Sequence, residues 1–241
     1  MIRFASVAAA ALLAGACHFS ADAEERDPGP EVSRTYQVAA FDKIAVAGPY
    51  EVKVVTGGQP GVSAKGGENL LAETDVTVED GTLKIMPKKR NGFRWGWSDH
   101  GKAVFTVNAA ALSGAAIAGS GGIHIDRTRT ASFKGEVAGS GDLSIDSLEA
   151  RDVELSIAGS GNITAAGKAT KFAANIAGSG DLDAKGLLAT DADVNIAGSG
   201  NITANATGSA DISIMGSGDV ELTGGAKCSV SKHGSGDVRC S

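Results

Sequence analysis

Apolar and polar residues alternate on both sides of a Gly-Ser-Gly triplet that recurs along the second half of the chain. Counted from the first glycine of the triplet, the positions two, four and six before and four and six after are apolar with few exceptions, as Val153, Leu155 and Ile157 show before Gly159. The positions between them are polar. Alternation with a period of two is typical of strands that bury one face, and a helix cannot produce it.

The triplets recur every 18 to 20 residues, and a period of this length indicates a solenoid in which each coil buries its apolar face against the next. We expect each coil to consist of two short strands, joined by a Gly-Ser-Gly-[Asp/Asn] corner and closed by a looser second corner, as at residues 146–149 or 166–168. Equivalent strands of stacked coils run in parallel. The pattern therefore predicts an all-β, single-stranded parallel β-helix, or β-solenoid.

The corner explains the glycine content of 34 in 241 residues, because a tight reversal needs positive φ and glycine adopts it without steric cost. The first glycines of the triplets are Gly119, Gly139, Gly159, Gly178, Gly198, Gly216 and Gly234. Three positions further on stand Asp142, Asn162, Asp181, Asn201, Asp219 and Asp237, a ladder whose side chains we expect to cap the corners. Calcium bound between coils is the alternative, although calcium prefers six to eight oxygens and the asparagines halve the charge.

The amino-terminal part lacks the triplet but keeps the strand pattern in "FDKIAV", "YEVKVV", "DVTVEDGTLKIMP" and "AVFTVN". Asp80-Gly81, between two alternating runs, predicts a hairpin or a tight corner. We expect less regular coils over residues 34–112, continuous with regular coils over 113–241 in one domain. Residues 24–33, rich in Glu and Pro, are expected to form a tether.

Residues 1–23 have the features of a signal peptide, with a basic start, an apolar run and an Ala-Asp-Ala sequence before Glu24. The alternative is a lipoprotein anchored through Cys17, which directly follows the apolar run. Either reading places the protein in the periplasm or the outer cell envelope. The apolar run is too short for a transmembrane helix.

Cys228 and Cys240 both occupy inward columns of the last coil, and exported cysteine pairs are usually bonded. We predict a disulfide between them, provided that the coil narrows enough to bring the Cα atoms within about 7 Å. Lys232 occupies an inward position that is Ile or Val in the earlier coils, so this coil is expected to have a neighbour on one side only.

The net charge of −6 argues against nucleic acid as a partner. The stretch 88–102 interrupts the strand pattern and combines basic and aromatic residues that could bind an anionic glycan or a membrane surface. Equally, it could be a loop whose rings fold back over the end of the solenoid. Its candidate binding residues are Lys88, Lys89, Arg90, Arg94, Trp95 and Trp97.

No catalytic motif or metal-ligand spacing is present, and the outward carboxylates are dispersed over different columns. The sequence thus favours a non-catalytic envelope protein that binds or adheres to an envelope glycan or a surface protein. A polysaccharide-active enzyme on a β-helix is the alternative, since such enzymes cluster acids on one outer face.

The order of "FDKIAVAGPYEVKVV", "ENLL", "VEDGTLKI" and the repeated "GSGD" resembles the bacterial auto-transporter adhesin head domain, also called the GIN domain, over roughly residues 38–240. The resemblance implies an exported, right-handed, single-stranded β-helix at the cell envelope, in a family of unknown function.

Overall fold

The computed structural model describes residues 27–88 and 103–241. The first strands are β1 (Glu31–Tyr36), β2 (Lys43–Ala47), β3 (Tyr50–Thr56), β4 (Gly61–Gly67), β5 (Thr74–Glu79), β6 (Thr82–Pro87), β7 (Ala103–Ala109), β8 (Gly114–Gly119) and β9 (Gly122–Ile125). A short helix, α1 (Glu68–Ala72), lies between β4 and β5. The remaining strands are β10 (Thr128–Gly139), β11 (Asp142–Gly159), β12 (Asn162–Gly178), β13 (Asp181–Gly198), β14 (Ile202–Gly216), β15 (Val220–Thr223), β16 (Lys227–Gly234) and β17 (Val238–Cys240).

Strands β8 to β17 stack in parallel register and form the predicted β-solenoid. The triplets pair with one another from coil to coil, so that Gly139 lies opposite Gly159 and Gly159 opposite Gly178. The two copies of "IAGSGNITA", which begin at Ile157 and Ile196, therefore occupy the same place in two coils separated by one coil between them.

The expectation of two short strands per coil is wrong for the central coils. Each of β11 to β14 continues through the second corner as one strand of 15 to 18 residues, whereas β9 and β10 of the coil before them remain separate strands. The strand can bend there and keep its ladder because β-bulges, seen as register shifts at Ile145/Leu148 and Thr164/Ala166, absorb the extra or missing residue. These bulges lie on the second-corner side, which leaves the triplets aligned although the coil length varies.

The amino-terminal region continues the same sheet but adds antiparallel strands. β2 pairs in parallel with β6 and β8, and β3 with β7 and β9. In contrast, β4 pairs antiparallel with both β1 and β7. β5 and β6 form the hairpin predicted at Asp80-Gly81, where both residues have positive φ. Strand β1 begins at Glu31, inside the segment expected to be a tether, because its backbone pairs with β4.

The core is a continuous column of aliphatic side chains enclosed by the coils. In the regular coils it consists of Val, Ile, Leu and Ala with the two rings of Phe133 and Phe172. The amino-terminal region is packed with larger groups: the Tyr50 and Phe105 rings meet edge to face at 5.5 Å, and α1 buries Leu70 and Leu71. The helix and the antiparallel strands thus cover the first coil.

A buried polar contact joins the helix to this core. The Thr74 hydroxyl is hydrogen-bonded to the Tyr50 hydroxyl at 3.0 Å and to the Leu70 carbonyl at 2.8 Å. Burial raises the pKa of Tyr50, and the hydrogen bond with Thr74 offsets part of that rise. Among the residues that the structure describes, no helix is long and apolar enough to span a membrane.

Candidate functional site

The first glycine of each triplet lies in a backbone conformation that other residues rarely adopt, with φ between 114° and 142°. Stacking adds a second constraint. A Cβ atom placed on Gly159 would lie 2.3 Å from the carbonyl oxygen of Gly139 in the preceding coil. The corners of neighbouring coils therefore lie too close together for a side chain at this position. The column of first glycines has a structural role.

The Asp/Asn ladder is held together by its own hydrogen bonds. Asn162 Nδ2 donates to Asp142 Oδ1 at 2.8 Å, and Asn201 Nδ2 donates to Asp181 Oδ1 at 2.9 Å. The backbone N–H of Asp219 donates to Asn201 Oδ1 at 3.2 Å. The two asparagines thus place a side-chain donor beside the carboxylates of Asp142 and Asp181, which fits a corner-capping role. The described part of the chain contains no group of three or more His, Cys, Asp or Glu that could hold a metal ion.

The predicted disulfide between Cys228 and Cys240 is present, with the Cα atoms 6.7 Å apart. The sulfurs join the two sides of the last coil across its core. In the same coil, Lys232 lies opposite Ile214 of the preceding coil, as its column predicts, and its side chain is exposed. Its Nζ donates to the Gly236 carbonyl at 2.6 Å, across the end of the core.

Of the candidate binding stretch, Lys88 alone lies within the described residues. It is exposed, and its backbone N–H donates to the Glu73 carbonyl at 2.8 Å. Lys89, Arg90, Arg94, Trp95 and Trp97 lie outside the described residues, as do the proposed signal peptide, Cys17 and Glu24.

A concave surface with a volume of about 810 Å³ lies on the outer face of the sheet, directly before the triplets. We call it the trough. One side is a column of outward alanines that pair from coil to coil, and exposed Met215 continues this column on β14. Met86, which follows the Ile85–Val46 pair of β6 and β2, lines the opposite end. The alanines are Ala47, Ala118, Ala138, Ala158, Ala177 and Ala197.

The other side of the trough is a column of small or polar side chains two residues earlier on each strand. It contains Ser156, Asn175 and Asn195, and Asn195 Nδ2 donates to Asn175 Oδ1 at 3.3 Å. Among the described residues that line the trough, Glu136 is the one charged side chain, and its carboxylate accepts from Lys134 Nζ at 2.9 Å. Glu136, and Glu154 beyond it, raise the pKa of Lys134. The trough is thus mostly apolar and close to neutral.

The trough was not predicted from the sequence, although a signal for it was present. The position directly before the triplet points outward, so the alternation calls for a polar residue there. It is alanine in five successive coils, from Ala118 to Ala197, and methionine in the sixth. An outward column that stays apolar through six coils indicates an exposed apolar surface.

A parallel β-solenoid with an apolar trough on its outer face and aligned backbone corners belongs to the class of rigid scaffolds that present an extended surface. The family model described as "Putative auto-transporter adhesin, head GIN domain" matches residues 40–226, and the chain belongs to this family. No curated protein matches the sequence.

Several solved structures share the fold. A "putative adhesin" from Bacteroides fragilis superimposes with a TM-score of 0.79 at 27% identity, over 88% of this chain and 97% of that one. A "Putative lipid binding protein" from Parabacteroides distasonis gives a TM-score of 0.66 at 29% identity, with the same coverage of both chains. A "putative adhesin" from the same organism, at 23% identity and a TM-score of 0.66, shows the fold alone, over 88% of this chain and 98% of that one.

Proposed function

We propose that this chain is a non-catalytic binding protein of the bacterial cell envelope that holds an extended hydrocarbon chain of its ligand in the trough. The observation that carries the proposal is the trough itself. Six successive rungs present exposed, uncharged side chains in one column of a protein in which 21% of residues are charged. A column without charge over this length favours an apolar ligand.

The chemistry of the trough argues against the enzyme alternative. Most glycoside hydrolases use a pair of carboxyl groups, one on each side of the bond that is cleaved. Among the described residues that line the trough, Glu136 is the one carboxylate, and it is paired with Lys134. A general acid and a general base therefore do not face each other across this surface.

The dimensions of the trough match a single extended chain. Its two columns stand two residues apart along each strand, which is roughly 6.6 Å. A hydrocarbon chain fits between such columns, since its carbons contact protein carbons at about 3.5–4 Å. From Met86 to Met215 the trough crosses eight strands, or roughly 34 Å at 4.8 Å per strand. The trough is therefore long enough to hold a whole acyl chain, which spans about 15 Å in one bilayer leaflet.

Two other occupants fit less well. An α-helix, about 10–12 Å across with its side chains, is wider than the space between the columns. A second copy of the chain would bury a strip on the order of 230 Å² per partner, from these same spacings, whereas stable interfaces bury about 800 Å².

The relatives support a binding role. One solved structure, 27% identical to this chain, is described as a "putative adhesin", and another, 29% identical, as a "Putative lipid binding protein". A lipid-bearing molecule of the envelope supplies the hydrocarbon chain that the trough accommodates. The signal peptide predicted at residues 1–23 would deliver the protein to that compartment.

The proposal is tested with n-octyl, n-decyl and n-dodecyl maltoside below their critical micelle concentrations, titrated calorimetrically into the purified protein. Burying half of each CH2 in an open trough contributes about 0.4 kcal/mol, or twofold in Kd. We expect the Kd to fall about tenfold or more from octyl to dodecyl. Maltose without an alkyl chain should not bind.

Two matched variants locate the site. Ala158→Glu places a charge in the middle of the trough without touching the core and should weaken dodecyl maltoside binding at least tenfold. Ala131→Glu, at an exposed position of β10 away from the trough, should leave the Kd unchanged. Equal affinity for all chain lengths, or for the two variants, would show that the trough does not hold a hydrocarbon chain. Binding of maltose alone would favour the glycan instead.

A further inference from the structure

The last coil presents a strand edge that has a partner on one side only. β16 pairs with β14 and β17 pairs with β15, and within the part of the chain that the structure describes neither strand has a neighbour on its other side. The coil is nevertheless fixed in place. The Cys228–Cys240 disulfide joins its two sides, the Ser241 N–H donates to the Leu222 carbonyl, and the Ser241 carbonyl accepts from the Gly225 N–H. Such an edge is a template for a further strand.

Side chains at this edge specify what a further strand would need. Val230 lies in an inward column opposite Ile212, yet it is 49% exposed because no coil covers it. Lys232 is two residues along the same strand, on the same face. Together with Cys228, Val238, Cys240 and Asp237 they line a hollow of about 390 Å³.

The charge of the last coil differs from that of the whole chain. Residues 226–241 contain three basic side chains, Lys227, Lys232 and Arg239, and one acidic side chain, Asp237, whereas the chain carries −6 overall. The like charges on this end disfavour a second copy docked end to end. They favour a segment with acidic residues.

We propose that the edge of β16 binds an extended strand of another polypeptide that has an apolar residue opposite Val230 and an acidic residue opposite Lys232. The backbone of the strand continues the parallel ladder. Its apolar side chain covers Val230, and its carboxylate accepts from the Lys232 ammonium, which uses one of its three protons on Gly236. This inference concerns a site one coil beyond the trough and does not depend on the hydrocarbon ligand.

The chain itself supplies probe peptides, because Ser209–Gly216 is the segment of β14 that β16 already pairs with. The capped peptide carrying Ile214→Glu places an acid opposite Lys232, and the peptide carrying Ile212→Glu places it opposite Val230. We expect the first to bind the full-length protein about threefold to fivefold more tightly than the second, the range of one partly exposed ion pair. It should also slow hydrogen exchange of the β16 amides, and Ala158→Glu should not change this binding.

Lys232→Glu tests the charge directly, at an exposed position where the substitution leaves the core intact. In this variant the peptide carrying Ile214→Lys should become the tighter ligand. Equal affinities for the two acidic peptides, or no protection of β16 at millimolar peptide, would overturn the proposal. Sedimentation velocity tests whether a second copy of the chain binds this edge instead. If the free protein self-associates and Lys232→Glu changes that association, the partner is a second copy and the proposal of a separate strand is refuted.

Discussion

In the regular coils, from β10 to β14, one glycine and one outward alanine recur on nearly every rung, whereas the region from β1 to β7 contains this pair once, at Ala47-Gly48. The regular coils achieve close packing through the backbone, since each corner glycine lies against the carbonyl of the coil before it. The amino-terminal region achieves it through large side chains, with Tyr50 and Phe105 in contact and Leu70 and Leu71 buried under α1. Each regular coil packs against an equivalent coil, so the same small residues recur. The amino-terminal region covers the first coil instead, and it does so with large side chains.

The sharpest test of this contrast is an added methyl group at a positive-φ glycine in each region. In Gly159→Ala the backbone conformation costs about 1–3 kcal/mol and the 2.3 Å contact with the Gly139 carbonyl adds about 1–3 kcal/mol. Gly57→Ala, at φ of 92° with no atom within 4 Å, should incur the conformational cost alone. Urea unfolding followed by circular dichroism compares them, and equal losses would show that stacking is not the constraint.

The next largest effect on stability is expected in the last coil, whose two sides are joined by a disulfide. The Cys228→Ser/Cys240→Ser variant should lower the local opening free energy of β16 and β17 by about 2–3 kcal/mol, because the disulfide closes a loop with a sequence separation of 12. Hydrogen exchange should accelerate there and remain unchanged in β10 to β13. Two titratable thiols in the denatured, unreduced protein would contradict the bond.

In the amino-terminal region, the Tyr50 hydroxyl gives stability a pH dependence. Its raised pKa means that the folded state holds the phenol proton more tightly than the unfolded state does. The stabilisation from this tighter proton binding is complete below the ordinary tyrosine pKa of about 10. It is lost as the pH rises through the raised pKa of Tyr50. Tyr50→Phe should cost about 0.5–1.5 kcal/mol at pH 7, from the lost hydrogen bond to Thr74, and flatten the alkaline decline. An unchanged slope between pH 9 and 12 would count against this assignment.

The smallest effect is expected in the Asp/Asn ladder. Asn201→Asp replaces the donor to Asp181 with a third like charge, next to Asp219 as well. At these exposed positions the loss should be below about 1 kcal/mol, decrease in high salt, and vanish when the carboxyl groups are protonated near pH 3. A gain in stability on adding calcium to the unmodified protein would favour the metal site over corner capping.

The repeat made most of the fold predictable, because the columns at Ile157, Leu155 and Val153 and their equivalents assign each residue to a face. The disulfide followed from the same columns. The helix at Glu68–Ala72 and the antiparallel pairing of β4 were not predictable in this way, since they depend on which surfaces the first coil leaves uncovered. The continuous strands through the second corners were also missed, because a β-bulge keeps the ladder where the sequence shows only a change in spacing. The outward alanines indicated the trough in the sequence. The period-two pattern assigns their positions to solvent, so their apolar character was not interpreted as a surface.

If the repeated outward alanines form the ligand site, photoaffinity labelling should place the hydrocarbon chain on them. An alkyl maltoside with a diazirine at the end of its dodecyl chain would be bound, irradiated and mapped by mass spectrometry of the digested protein. We predict that labels concentrate on the segments of β10 to β13 that precede each triplet, and that excess dodecyl maltoside prevents them. Labels concentrated in residues 88–102 or in the last coil, or spread evenly over the surface, would contradict the claim.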